Sequence, residues 1–297
     1  MSASTKTAAR EALEGLDGLV SEPFSRRGFV MTGLISGFTL ATTVVHGQTI
    51  TTDSKGLVAG EVKIPTADGD LPGYRAMPEG TGPFPIVLVV EEIFGVHEYI
   101  KDICRRFAKL GYCAVAPELY ARLGDLSKMT DAQVIVRDVI SKAPDATLLS
   151  DLDSTAKWAA SQSRGDAARL GITGFCRGGR AVWLYAAHNP QLKAAVAWYG
   201  PLGGNPTAIQ PKTAAEVVGD LKAPVLGLYG GADTGIPVAS VEKQRDAAKA
   251  AGKTVEVVIF PDAPHGFHAD YRPSYRKAQA EDGWARMLAW FKRYGVA

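Results

Sequence analysis

The sequence predicts an α/β fold: a doubly wound, mostly parallel sheet flanked by helices. Two observations predict it. The stretch FPIVLVVEEIFG holds a continuous apolar run, Ile86 to Val90, bounded by Pro85 and Gly95. A run of that length without alternation suits a strand covered on both faces, as parallel strands are. From about residue 85 onward, strand-like and helix-like segments take turns, the order that places successive strands side by side in one sheet. The chain has 297 residues, 46% hydrophobic and 22% charged, enough apolar material for one large core. No linker or internal repeat divides it, so residues 48–297 form one domain.

The elements follow in order. GLVAGEVKIPTADGDLPGYRAMPE reads as two strands joined by a turn at Ala67-Asp68-Gly69-Asp70. After the Ile86–Val90 strand, HEYIKDICRRFAKLGY carries helical periodicity, with Ile100, Ile103, Phe107 and Leu110 on one stripe and Gly111 as its stop. CAVAPELY is the next short strand. ATLLSDLDSTAKWAASQS is an amphipathic helix, ARLGITGF a strand, and GGRAVWLYAAHNP a helix halted by Asn189-Pro190. KAAVAWYG and APVLGLYGGAD are strands separated by a proline- and glycine-rich connection. SVEKQRDAAKAAG is a helix stopped by Gly252, KTVEVVIFP a strand, and SYRKAQAEDGWARMLAWFKRYG the closing helix.

Residues 1–47 differ in character. Ser25-Arg26-Arg27-Gly28-Phe29 precedes an apolar run diluted with Thr, Ser and Gly that ends near Gly47. The run is too short and too weakly apolar for a stable membrane span. Paired arginines ahead of such a run fit a twin-arginine export signal with a long n-region, which makes the twin-arginine translocase a partner during export. The expected location is periplasmic or secreted; the alternative is an amphipathic N-terminal helix on a cytoplasmic protein.

A formal charge of +2, with no basic stripe, argues against a nucleic-acid partner. Three cysteines supply neither a disulfide framework nor a CxxC pair, and Cys104 and Cys113 read as small buried hydrophobes. Cys176 is different. It lies in GITGFCRGGR, where a strand runs into a helix between small residues.

In open α/β sheets, functional residues gather at the carboxyl ends of strands. One strand end delivers Cys176, another Asp233 in YGGADTGIP, and the last His265 in PDAPHGFHADY. Gly174-x-Cys176-x-Gly178 has the form of a nucleophile elbow, in which a sharp strand-to-helix turn strains the central residue and demands small neighbours. The turn lifts the thiol to a helix N-terminus, whose partial positive charge favours thiolate. The main-chain N–H of Arg177 points into the same space and can hold an oxyanion. His265 then acts as base and Asp233 fixes its tautomer. His268 is the competing base but lies further along and faces away. His97 reads as a helix-start residue and His188 as a helix end.

The motifs EEIFGV, APELYAR, GFCRGG, YGGAD and HGF, in this order, resemble the dienelactone hydrolase family of α/β-hydrolases over residues 55 to 297. The resemblance implies an α/β-hydrolase fold and hydrolysis of carboxymethylenebutenolide, an enol-lactone, with neither metal nor organic cofactor. It maps the triad to Cys176, Asp233 and His265. It adds Glu92, at the glutamate of the family's QEIFG motif, as a carboxylate that meets the thiol in the resting enzyme and moves when substrate binds. It also makes the N–H of Ile93 the second oxyanion donor. Relatives bind the substrate carboxylate through two arginines. Arg137 matches the first by its spacing from Arg122. The second should lie four residues after the histidine, where this chain has Ala269, and Arg272 is the nearby arginine that could reach back.

The expected function is therefore opening of an enol-lactone or activated ester by a Cys-His-Asp triad through a thioester. A broader carboxylesterase or thioesterase would use the same residues without a carboxylate clamp. A non-catalytic periplasmic binding protein on a hydrolase fold is the rival of another class.

Overall fold

The computed structural model describes residues 49–297; the expected export segment, 1–47, lies outside the described residues. Eight strands form one mixed sheet: β1 (Leu57–Thr66), β2 (Gly69–Pro78), β3 (Phe84–Val90), β4 (Cys113–Pro117), β5 (Gly165–Phe175), β6 (Ala194–Trp198), β7 (Val225–Gly230) and β8 (Val255–Phe260). Their spatial order is β1-β2-β4-β3-β5-β6-β7-β8. The β1–β2 and β2–β4 pairs are antiparallel, and every later pair is parallel. The order reverses direction around β3, so β3 lies between β4 and β5 at the switch point of the sheet. Ligands of open α/β sheets bind outside the strand ends at such a point. Ile86 through Val90 are fully buried, as strands covered on both faces require.

Among the described residues six α-helices accompany the sheet: α1 (Glu98–Lys109), α2 (Ala132–Asp138), α3 (Asp145–Gln162), α4 (Arg177–His188), α5 (Val238–Ala250) and α6 (Lys277–Arg293). In α1, Ile100, Ile103, Cys104 and Phe107 face the core, with Glu98 in the first turn and Arg106 and Lys109 in the last, complementing the helix dipole. Leu110, expected on that stripe, is the C-cap and is exposed, because the chain leaves helical geometry before Gly111 (φ +95°). Helix α2 falls in LGDLSKMTDAQVIVRD, where no element is expected from the sequence. Asp131 caps it by accepting from the N–H groups of Gln133 and Val134. Among the described residues no helix is long and apolar enough to cross a membrane.

Cys104 and Cys113 are buried, as expected, and burial pushes the Cys113 thiol up to about 12 and the Cys104 thiol higher still. Both are inert thiols of the core.

Candidate active site

The carboxyl end of β5 turns into α4 with no intervening loop, and the residue between them is Cys176. Its φ of 52° and ψ of −117° lie where L-residues are sparse, a strain of about 1–3 kcal/mol. The neighbours that hold it there have no room for a side chain. A Cβ on Gly174 would stand 2.4 Å from the Gly178 carbonyl oxygen; one on Gly178, 2.4 Å from that of Val90 and 2.5 Å from that of Glu91. Gly179 packs backbone to backbone on Gly200. The glycines thus serve close approach, and the elbow sits directly on the loop leaving β3. That contact brings Glu92 and Ile93 beside the start of α4. Arg177 is the first residue of α4, so the helix makes no use of its N–H.

His265 and Asp233 arrive from the ends of β8 and β7. His265 Nδ1 lies 2.7 Å from Asp233 Oδ2, and both side chains are buried. Asp233 Oδ1 accepts from the N–H groups of Gly235 (2.9 Å) and Ile236 (3.1 Å), which fix the carboxylate from behind. Tyr199 (φ 37°) packs edge-on against the imidazole at 5.1 Å. Burial works against a charged imidazole here, but its interactions with the adjacent Cys176 and with the Asp233 carboxylate outweigh it and carry His265 up to about 10. The structure brings Cys176, His265 and Asp233 together.

His268 is turned away from this group. Its Nδ1 lies 2.6 Å from the Tyr99 hydroxyl, its ring stacks on Trp284, and burial holds it well below the usual histidine range. His97 is the N-cap of α1, but it is also buried against Glu92, with Nε2 3.5 Å from Oε2. His188 is the last residue of α4 and pairs with Asp153.

Glu91 and Glu92 are both fully buried. Glu92 Oε2 accepts from the Tyr271 hydroxyl (2.7 Å) and lies 3.4 Å from the Arg272 guanidinium. Burial would raise its carboxyl, yet Arg272, His97 and Tyr271 hold it down at about 2. The expected thiol contact is not among the hydrogen bonds of Glu92; the arginine and the tyrosine take that carboxylate instead. Arg272 therefore does reach back to the site. Its guanidinium lies over the rings of Phe94 (4.9 Å) and Tyr271 (5.0 Å), and Cys176 contributes to its stabilisation as a cation. Tyr271 is a site residue that the sequence reading missed, and a tyrosine six positions after a histidine carries no signal of its own.

The other two arginines are occupied elsewhere. Arg137 is half exposed on the last turn of α2 and pairs with its neighbour Asp138. Arg122 forms a two-pronged pair with buried Asp151 (2.7 and 3.1 Å) and donates to Thr66. The structure does not bring either guanidinium to Cys176. The expectation that they receive a substrate carboxylate finds no geometric counterpart, because a one-residue ion pair and a buried aspartate hold them first.

The arrangement is a buried cysteine, histidine and aspartate gathered at the carboxyl ends of β5, β8 and β7. Among the described residues no group of His, Cys, Asp and Glu is placed to hold a metal ion. A cavity of about 280 Å³ opens beside the site, lined by Phe94, Gly95, Val96, His97, Glu118 and Leu126 among others.

Comparison with known proteins agrees with this architecture. The chain is 61% identical over 274 residues to a protein of Methylorubrum extorquens AM1 named "Putative carboxymethylenebutenolidase", covering 92% of this chain and 94% of that one. A relative of the same name from Escherichia coli K12 is 53% identical over 261 residues, 88% of this chain and 96% of its own. A crystal structure from Klebsiella pneumoniae, described as a putative dienelactone hydrolase, superposes with a TM-score of 0.78 at 55% identity, covering 80% of this chain and 99% of that one. The sheet, the elbow and these relatives make the protein an ester- or lactone-hydrolysing enzyme of the α/β-hydrolase fold. Residues 71–295 match the dienelactone hydrolase family, and the chain belongs to it.

Proposed function

We propose that the enzyme opens an enol-lactone of the dienelactone type, or cleaves an activated ester, by covalent catalysis from Cys176. The observation that carries this reading is the strained cysteine at the N-terminus of α4, with the charge-raised His265 held by Asp233 behind it. The sulfur attacks the carbonyl, and the N–H groups of Arg177 and Ile93 receive the oxyanion. As the carbon–oxygen bond breaks, His265 returns a proton to the departing oxygen, leaving a thioester. Water, deprotonated by His265, then attacks the thioester; the acid leaves and the thiol is restored. Thiolate itself departs readily from a tetrahedral intermediate, so productive substrates need an oxygen leaving group at least as good, such as an enolate.

Glu92 and Arg272 set the resting state. A substrate carboxylate would compete with Glu92 for the Arg272 guanidinium, and Glu92, once released, could take the thiol proton. Support comes from the 3.4 Å pair, from the burial of both groups, and from Glu92 Oε1, which has no hydrogen-bond partner among the described residues. A broader esterase is the second reading, favoured by the solvent-facing pair of Arg137 with Asp138 and by Ala269.

The test is turnover of dienelactone beside neutral lactones and activated esters by wild type and Cys176→Ala. Loss of dienelactone turnover in the variant supports the thiol mechanism. Preference for methyl esters over free acids would favour the broader esterase. Binding without any Cys176-dependent turnover would overturn both.

We also propose export through the twin-arginine translocase to the periplasm or beyond, supported by Ser25-Arg26-Arg27 ahead of the apolar run. Replacing Arg26 and Arg27 by lysine should retain the protein in the cytoplasm on fractionation. Equal distribution of wild type and variant would sink the idea.

A further inference from the structure

We propose that Glu91 and Glu118 share one proton and, as a carboxyl pair, position the loop of residues 91–97 over the nucleophile elbow. The loops leaving β3 and β4 each supply one carboxyl and one N–H. Glu91 Oε1 accepts from the N–H of Leu119 (3.0 Å), and Glu118 Oε1 accepts from the N–H of Val96 (3.1 Å). The two loops are thus cross-braced in both directions. Glu91 Oε2 is buried with no hydrogen-bond partner among the described residues, and the Glu118 carboxyl is close enough to interact with the Glu91 side chain. Two carboxylates in such a contact repel; one proton between them turns repulsion into a hydrogen bond. Gly95 (φ +79°) accommodates the pair, since a Cβ there would stand 3.1 Å from Glu118 Oε2.

The surroundings do not remove the need for that proton. Lys101 and His97, from α1 and its cap, are the basic groups facing Glu118. Tyr120 faces Glu91 and is itself turned to Arg177 and Arg180 of α4. Burial and mutual repulsion raise Glu91 well above the usual carboxylate range, and Glu118 is raised as well. Glu118 also lines the cavity, which gives the proton a route to solvent.

The consequence for catalysis rests on the reading of Ile93 and Glu92 given above, whereas the shared proton does not. As pH rises and the pair loses its proton, the brace opens and the Ile93 N–H leaves its position, so kcat falls. Two measurements separate the parts. Infrared spectra of wild type, Glu91→Gln and Glu118→Gln at neutral pH, without substrate, read protonated carboxyls directly; one such band should vanish in either variant. The kcat–pH profile on a 4-nitrophenyl ester should then lose its alkaline decline in Glu91→Gln, the ratio of kcat at pH 9 to kcat at pH 7 rising roughly threefold or more. A band untouched in both variants overturns the shared proton. A lost band with an unmoved profile overturns the positioning role. Absence of Cys176-dependent turnover would count against the mechanism above and leave the infrared result decisive for the pair.

Discussion

His265 Nδ1 and Asp233 Oδ2 lie 2.7 Å apart with both side chains sealed from solvent, and the far oxygen of Asp233 is held by two main-chain N–H groups. The carboxylate can neither rotate nor exchange its partner for water, so the imidazole has one orientation, with Nδ1 committed to Asp233.

Asp233→Asn preserves the shape but offers an amide where the imidazole needs an acceptor. The proton of His265 then moves to the nitrogen that should act as base. The expected cost is about 10²–10⁴ in kcat, with little change in KM. Steady-state kinetics on an activated ester, beside circular dichroism to verify folding, checks it. A loss below threefold would show that the pair is not a working relay.

The same contact predicts a pH dependence of stability. His265 binds its proton more tightly folded than unfolded, its value rising from 6.5 to about 10. Its contribution is therefore fully present below pH 6.5 and is lost as pH rises through about 10. At about 1.4 kcal/mol per unit, the effect amounts to a few kcal/mol. Cys176→Ala removes the neighbour that helps to raise His265 and should flatten the slope between those limits. Urea unfolding of both proteins at several pH values measures it, and parallel curves would refute the coupling of the two side chains.

The elbow predicts an ordering among glycine substitutions. An alanine at 178 would press its Cβ on two main-chain carbonyls of the β3 loop, at 2.4 and 2.5 Å, and neither can move without shifting Glu92 and Ile93. Gly178→Ala should cost about 1–3 kcal/mol or more and abolish most activity. Gly219→Ala meets nothing within 4 Å and has an ordinary φ, so it should be close to neutral. Thermal melts of the two variants compare them directly.

What the sequence made legible was local. Gly174-Phe175-Cys176-Arg177-Gly178-Gly179 states its turn within six residues, because close backbone contact leaves a trace in residue size. Asp233 and His265 were legible through strand order, since each follows an apolar run that can only be a buried strand. The partners of Glu92 were not: Tyr271 and Arg272 lie 179 and 180 residues away, and nothing local marks them. Arg137 shows the reverse failure. Its spacing from Arg122 is a linear fact, whereas the orientation of the short helix α2 points its guanidinium to solvent and Asp138. The place of Glu91 was not legible because Glu118 comes from another strand end, and burial of two acids is intelligible only once they are seen together. The antiparallel β1–β2 pair at the sheet edge was legible as a hairpin, but its docking on β4 depends on topology that no short stretch encodes.

Arg272 is the residue on which substrate choice should turn. Its guanidinium is felt by Cys176 and is held between the Glu92 carboxylate and the rings of Phe94 and Tyr271. Removing it has two separable effects. A carboxylate-bearing substrate loses its counter-charge, so Arg272→Ala should raise KM for the free acid by about tenfold or more, while the matching methyl ester shifts little. Glu92 meanwhile loses the partner that holds it near 2. A depressed carboxyl contributes stability above its unfolded value of 4.5 that is lost as pH falls through about 2. Arg272→Ala forfeits that contribution and leaves the buried Glu92 carboxylate without its arginine, held only by Tyr271 and His97, at a cost of up to about 3–5 kcal/mol. Its acid-unfolding midpoint should therefore rise toward neutral pH, and Arg272→Lys should restore charge without the stacked, planar contact. Kinetics on an acid and ester pair, with acid titrations followed by tryptophan fluorescence, read both effects. An unchanged acid-to-ester ratio together with an unmoved midpoint would assign Arg272 to neither role.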